Sequence, residues 1–406
     1  MKFLKNLGPG IVVAATGVGA GDMIAASVAG AKYGIVIIWA AIVGAIIKFI
    51  LNEGIARWQL ATGTTVLQGW KHKFHALVSI YFIVYLFLWG FIVAGALIAA
   101  CGLAAHAIFP FCPVETWGIL HSLTALLLVY IGRYQLMENL MKFFIGLMFV
   151  VVCLSAILIH TDWGLVLKSL AIPGLPPGSV TFILGVIGGV GGTVTLLSYG
   201  YWIREKKWIG KQFYKRARTD LMVAYLLTGL FGMAIIIIAA GVKPEVITGS
   251  KMVIGLAEQM GTVVGPIGKW IFLIGFWGAV FSSMLGVWQG VPYLFSDSIQ
   301  VYKNKSYTIS RTKIDLRSRN YLFFLFYLAI PPLILLFFGK PVWVVVIYSI
   351  IGAFFMPFLA VLLLIMNNRI KWVKDFKNNL LINLLLFAGL VLFAFLCISE
   401  IWQRLF

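Results

Sequence analysis

Apolar runs of eighteen or more residues follow one another along almost the whole chain, and short clusters of glycine, proline, lysine and arginine separate them. The hydrocarbon core of a bilayer takes about 20 helical residues to cross. Ending each run at its glycine, proline or charge cluster predicts about eleven spanning helices, at 9–31, 35–61, 78–108, 116–131, 135–160, 179–203, 218–241, 265–290, 320–338, 341–366 and 379–402. The stretch GLVLKSLAIPGLPPG (164–178) is expected as an interfacial helix ended by its prolines. No polar tract is long enough for a soluble domain, so residues 1–406 are expected to form one all-α integral membrane unit. The first run starts near Gly8 and lacks a small-residue cleavage site followed by a polar mature chain, which argues against a signal peptide.

Composition agrees with this reading. Hydrophobic residues make up 62% of the chain and charged residues 11%, with a mean hydropathy of +1.01; soluble domains carry about 25% charged residues. The formal net charge of +19 would suit a nucleic-acid partner in a soluble protein. Here the cations fall in the loops between spans, where membrane orientation and anionic headgroups account for them, and no nucleic-acid partner is expected.

Short cytoplasmic loops retain Lys and Arg. With the N-terminus inside, the inner segments hold Lys2, Lys5, Lys71, Lys73, Arg133, the run Arg204 to Arg218, the run Lys303 to Arg319, and Arg369 to Lys377. The outer segments hold only Lys32, Lys168, Lys243, Lys251, Lys269, Lys340 and Arg404. The expected orientation is N-terminus cytoplasmic and C-terminus outside. The expected partners are the lipid bilayer and an inorganic cation, with the protein a monomer.

Enzymatic constellations are missing from the sequence. Cys101, Cys112, Cys153 and Cys397 are scattered without a paired spacing, which supports neither a disulfide framework nor a zinc site. His106, His121 and His160 fall near span ends, where interfacial polar tips are ordinary. No cofactor is expected.

One acid stands out. Asp22 lies inside TGVGAGDMIAASV (16–28), and an acid at mid-bilayer costs about 2.5–3.5 kcal/mol on insertion scales. Gly17, Gly19 and Gly21 weaken the helix just before it. They do not form a dinucleotide-binding loop, because no preceding strand or βαβ unit is available. Five spans later, Gly185, Gly188, Gly189, Gly191 and Gly192 precede Thr193 and Thr195. Small residues in spanning helices also serve close packing, yet two clusters five spans apart, one joined to an intramembrane acid, match the paired broken helices of inverted-repeat transporters. Breaks are expected near 17–21 and 188–194, facing each other. Unwound backbone in the membrane must line a cavity or be buried in protein, and its freed carbonyls can bind cations.

Several segments then resemble a family: GPGIVVAATGVGAGDMIAASVAGAKYG (8–34), IARWQLATG (55–63), YQLMENLMKFFIGLM (134–148), GGTVTLLSYGYW (191–202), SSMLGVWQG (282–290) and FMPFLAVLLLIMNN (355–368). Over nearly the whole chain, and in helix order, they are similar to the Nramp (natural resistance-associated macrophage protein) family of metal-ion transporters. The resemblance implies a LeuT-type fold, with two inverted five-helix repeats (about 8–160 and 179–366), one extra helix (379–402), and the first and sixth helices broken.

The resemblance also implies a site, and this sequence departs from it. The family's first-helix motif, Asp-Pro-Gly-Asn, falls on Gly19, Ala20, Gly21 and Asp22, so the metal-binding acid is replaced by Gly19 and the Asn position has become Asp22. The ligating Met of the sixth helix falls on Thr195, and the His two residues later on Leu197. The tenth-helix glutamine falls near Ser349. The expected metal ligands are Asp22 and Thr195, with Gly19, Ser349 and the carbonyls of Thr16 and Gly192 completing the substrate site. Losing the thioether removes preference for soft metals and favours a harder or weakly selected cation.

Coupling should be altered too, since the third span has no acid and the sixth no histidine, where the family carries its proton-coupling groups. Glu53 with Arg57 and Glu138 with Lys142 have (i, i+4) spacing and are expected to be structural or gating ion pairs. Ser282 and Ser283 occupy the place where hydroxyls form a sodium or coupling-ion site in some transporters of this fold and bond backbone in others.

The sequence therefore predicts a secondary-active transporter moving a divalent cation by alternating access, with non-standard selectivity and altered or absent proton coupling. The alternative is a cation-coupled symporter of a small organic cation or amino-acid-like zwitterion. A channel would need rings of ligands that the sequence does not display.

Overall fold

The computed structural model describes residues 8–19, 21–132, 134–159, 161–242, 252–303, 316–338 and 341–405. Ala20 and His160 lie outside the described residues, as do Lys2, Lys5, Arg133, Lys243, Lys251, Lys305, Arg311, Lys313 and Lys340 of the expected charge pattern. The side chains of Asp22, Lys303, Cys397 and Arg404 are likewise outside the description.

All eleven expected spans are helical. In chain order the helices are α1 (Pro9–Gly17), α2 (Ala26–Tyr33), α3 (Trp39–Thr62), α4 (Val66–Lys73), α5 (Ala76–Ile108), α6 (Val114–Ile131), α7 (Tyr134–Leu158), α8 (Trp163–Ala171), α9 (Val180–Gly189), α10 (Tyr199–Glu205), α11 (Tyr214–Ala239), α12 (Met252–Val264), α13 (Pro266–Lys303), α14 (Arg319–Ala329), α15 (Pro341–Asn368) and α16 (Leu380–Leu405), with a four-residue turn of helix at Ile370–Val373 before the last. Among the described residues nine helical stretches are long and apolar enough to cross a membrane. The last helix continues this set beyond a 116° bend from Ile370–Phe376. The first span passes no such length test because α1 and α2 are separated by its break. The protein is a multi-pass membrane protein.

Burial sorts the spans into layers. In the α9–α10 span 94% of the apolar window is buried within the protein, against 22% for α6. The sixth span is therefore central and the fourth faces lipid. Around it, α1 packs on α11 and α13, α3 on α11, α9 on α15, and α5 on α6, α13 and α15.

One expectation for the connecting segments is met, and two features differ from the sequence reading. The stretch 164–178 does begin with an interfacial-length helix, α8, whose N-terminus is capped by Asp162 accepting from the Leu165 N–H at 3.0 Å. Beyond the expected end at 290, α13 runs on to Lys303 through Pro292, because a proline removes one N–H but need not end a helix held by packing on both sides. Two short helices, α4 and α12, were not expected. α4 starts on a capping box in which Thr65 and Gln68 satisfy each other's backbone N–H groups. At 13 residues α12 is too short to span, and it packs along α13.

Candidate functional site

The first break follows from what its residues cannot do. α1 ends at Gly17; a wide π turn, Gly21–Ala25, opens the second half-helix. At the start of α1, Pro9 occupies the first turn, and the N–H groups of Gly8 and Gly10 donate to Asp220 Oδ1 and Oδ2 at 3.1 and 2.6 Å. That carboxylate from α11 thus satisfies orphan donors and complements the positive end of the helix.

The second break lies between α9 and a 3₁₀ turn, Val194–Ser198, that leads into α10. Gly191 and Gly192 have φ of +74° and +78°. Two consecutive left-handed residues would cost about 1–2 kcal/mol each with any side chain, so glycine is what allows the chain to unwind here.

The two breaks touch. A Cβ added to Gly17 would lie 2.4 Å from the carbonyl carbon of Gly191, and one added to Gly192 would lie 3.7 Å from the Gly17 Cα. Thr195, buried in the 3₁₀ turn, places Oγ1 within 2.4 Å of that same Gly192 position. Leu197 is buried in the same turn.

The Thr16 hydroxyl donates to the Val12 carbonyl at 2.7 Å within its own helix. Its carbonyl accepts from Ser283 Oγ at 2.5 Å. Ser282 Oγ donates to the Ala279 carbonyl at 2.9 Å and lies 3.4 Å from that of Ala15. Ser282 and Ser283 of α13 therefore hold backbone carbonyls around the end of α1. A Cβ on Gly19 would sit 2.3 Å from Ser283 Oγ, so an acid restored at position 19 would have to displace Ser283.

Ser349 stands on the far side of the second break. Its hydroxyl donates to Val345 O at 3.1 Å in its own helix, and its carbonyl lies 2.1 Å from where a Gly188 Cβ would be. The expected substrate residues Thr16, Gly19, Gly192 and Thr195 are thus gathered at the contact of the breaks, and Ser349 packs on the last turn of α9. The backbone of Asp22 lies in the π turn that opens from the first break.

Two residues at the site are not assigned a site role by the sequence. Thr193 Oγ1 is buried without a hydrogen-bond partner among the described residues, directly beside the Gly191–Gly192 break. Lys48 of α3 is 0% exposed, and its ammonium donates to the Gly188 carbonyl at 2.7 Å. A lysine near the middle of an apolar span is the available signal, since ionisable residues at such depth are rare without a partner or a task.

Away from the breaks, the expected ion pairs form. Arg57 pairs with Glu53 and donates to Asn378 Oδ1 at 2.8 Å, and Tyr214 OH donates to Glu53. Glu138 pairs with Lys142 at 2.5 Å and with Lys206 at 2.7 Å, which ties α7 to the segment after α10. A further hub centres on Asp297 of α13. Its carboxylate accepts from Thr65 Oγ1 at 2.6 Å, Gln68 Nε2 at 3.2 Å and Tyr201 OH at 2.6 Å, joining α4, α10 and α13. His121 is held by Trp277 Nε1 donating to Nε2 at 2.7 Å, with Nδ1 2.7 Å from Trp117 O, and His106 Nδ1 is 2.8 Å from Cys112 O. Among the described residues no three His, Cys, Asp or Glu side chains are grouped to hold a metal.

Paired broken helices in contact, inside a bundle with this helix order, define a transporter-type membrane fold. Structural comparison agrees. The manganese transporter of Eremococcus coleocola superposes with a TM-score of 0.72 at 17% identity, covering 98% of this chain and 86% of that one. MhsT in complex with L-phenylalanine superposes with a TM-score of 0.60 at 15% identity, covering 97% and 98%. At these identities the likeness is one of fold, the LeuT-type fold. An uncharacterized protein of Pasteurella multocida (strain Pm70) is 24% identical over 283 residues, 65% of this chain, and the match spans 63% of that relative's length. The profile of the natural resistance-associated macrophage protein-like family matches residues 10–403. The chain belongs to that family.

Proposed function

We propose that the protein is an alternating-access carrier for a hard divalent cation, lodged between the first and sixth spans. The observation that carries this reading is the contact of Gly17 with Gly191, which brings two unwound stretches of backbone together, one of them in the span that carries Asp22. Asp22 supplies the negative charge, and Thr195, Thr193 and break carbonyls supply neutral oxygens. An oxygen-only set of this kind favours harder ions over soft ones. The manganese transporter of the same fold supports cation cargo. The protein acts as a carrier and not as an enzyme, with its N-terminus cytoplasmic and its C-terminus outside, as the loop charges indicate.

Lys48 favours one second reading. A site that offers an ammonium as well as a carboxylate has the two charges an amino-acid-like zwitterion requires, and MhsT, of the same fold, holds L-phenylalanine. Uptake by purified protein in liposomes, screened over magnesium, manganese, calcium, amines and amino acids under set sodium and proton gradients, separates the two. Saturable uptake of a divalent cation is expected. Saturable uptake of an amino acid, with none of any divalent ion, would overturn the cation reading.

A further inference from the structure

Lys48 does something that a packing residue would not. Its ammonium is fully buried and donates to the carbonyl of Gly188, in the last turn of α9. Glycines at 191 and 192 end the helix there, so the Gly188 carbonyl lacks the i+4 N–H it would otherwise accept: the Gly192 N–H donates to Gly189 O instead, at 3.2 Å. It belongs to the class of freed carbonyl that a bound cation would use in a broken helix.

The backbone of Asp22 lies at the same level. The π turn 21–25 packs on α9, where a Cβ on Gly185 would lie 4.0 Å from the Ala25 Cβ. The first span leaves its break through this turn, while α9 runs towards its own, so the two strands of chain are antiparallel. Three residues from Ala25 towards one break is Asp22; three from Gly185 towards the other is Gly188. The lysine therefore reaches the carbonyl that stands level with the only acid of the first span.

We propose that Lys48 is the carrier's built-in counter-cation: in the empty site its ammonium holds the Gly188 carbonyl and offsets the charge of Asp22, so that the empty carrier reorients without a coupling ion. This rests on the reading of the site as a cation carrier. A lone carboxylate in a low-dielectric interior resists the closed, dry intermediate through which an alternating carrier must pass. A cargo cation removes that obstacle on the loaded stroke. On the return stroke a coupling ion must do so, or a charge tethered to the protein. An entering cation and the tethered ammonium compete for the same carbonyl, so one leaves as the other arrives. The substituted coupling positions fit this, since the third span lacks an acid and the sixth a histidine.

The test compares two transport modes in liposomes, using manganese and magnesium as probes. Net uptake into cation-free vesicles requires the empty return stroke, whereas exchange into vesicles preloaded with the same ion does not. For the unmodified protein, net uptake is expected to change less than twofold when a sodium or proton gradient is imposed. In Lys48→Met, net uptake is expected to fall at least tenfold further than exchange, with partial recovery of net uptake when sodium or methylammonium is supplied. A misfolded or merely loosened variant would lose both modes together. An unmodified protein whose net uptake requires either gradient would overturn the proposal without any variant, and so would an unchanged ratio of the two modes in Lys48→Met. A protein that moves neither ion in either mode fails the carrier reading itself, a result distinct from intact exchange with an unchanged ratio.

Discussion

Gly17 and Gly191 approach so closely that a single methyl group on Gly17 would come within 2.4 Å of the Gly191 carbonyl carbon. Both sides of this contact are backbone, so no side-chain rotation can relieve it. Gly17→Ala is therefore expected to push the breaks apart, lowering the melting temperature in detergent and reducing transport at least tenfold. Gly146 of α7 has nothing within 4 Å of its Cβ position. Gly146→Ala is the control, expected to be neutral or stabilising by up to about 1 kcal/mol through helix propensity. Equal damage from both substitutions would show that the Gly17–Gly191 contact has no special role.

Thr195 as a proposed ligand carries a prediction about selectivity. A hydroxyl offers a soft ion nothing that water does not, whereas a thioether does. The unmodified protein is expected to bind cadmium no more tightly than manganese by calorimetry. Thr195→Met is expected to move the preference towards cadmium by about tenfold, or about 1.4 kcal/mol. Tight cadmium binding before substitution would contradict the oxygen-only site.

Much of this site was legible because a few rules of membrane chemistry leave few alternatives. Glycine clusters five spans apart marked both breaks, and an (i, i+4) spacing marked the Glu53–Arg57 and Glu138–Lys142 pairs. The boundaries were less legible where packing outweighs local preference, as at Pro292, which α13 absorbs. Partners brought together only by the fold were hidden altogether. Nothing in the sequence joins Asp297 to Thr65 or Lys48 to Gly188, separated by 232 and 140 positions. Asp220 is a similar case: near arginines in sequence, its carboxylate faces the start of α1 in space.

Asp297 also gives a prediction about opening. Its carboxylate joins the sixth span, through Tyr201, to α4 and α13. If this hub closes one side of the carrier, weakening it should favour the state open on that side. Each hydrogen bond to a charged acceptor is worth about 1.5–3 kcal/mol, and losing one such bond shifts a two-state population about tenfold. Ser198 is fully buried just beyond the break and serves as a reporter position. On a background lacking native cysteines, labelling of Ser198→Cys by a water-soluble maleimide should rise about tenfold when Asp297→Asn is added. Unchanged labelling, with unchanged transport, would reduce the hub to a structural tie.

The acid at position 22 has two physical explanations that one substitution separates. As a ligand, it offsets the charge of the cargo. As a cap, it accepts from N–H groups freed at the start of the second half-helix, a role asparagine fills almost as well. Asp22→Asn keeps size and hydrogen-bonding capacity and removes only charge. Under the ligand role, divalent-cation binding should fall at least a hundredfold, about 2.7 kcal/mol, while expression and melting temperature stay near those of the parent. Asp22→Asn also removes the charge that Lys48 is proposed to offset, so Lys48→Met should cost less stability in the Asp22→Asn background than it costs alone. The charge pairing between positions 22 and 48 would appear as this coupling in a double-mutant cycle, read by thermal melting. Near-normal binding by Asp22→Asn, with additive effects in the cycle, would assign the acid to the cap and move the cation elsewhere.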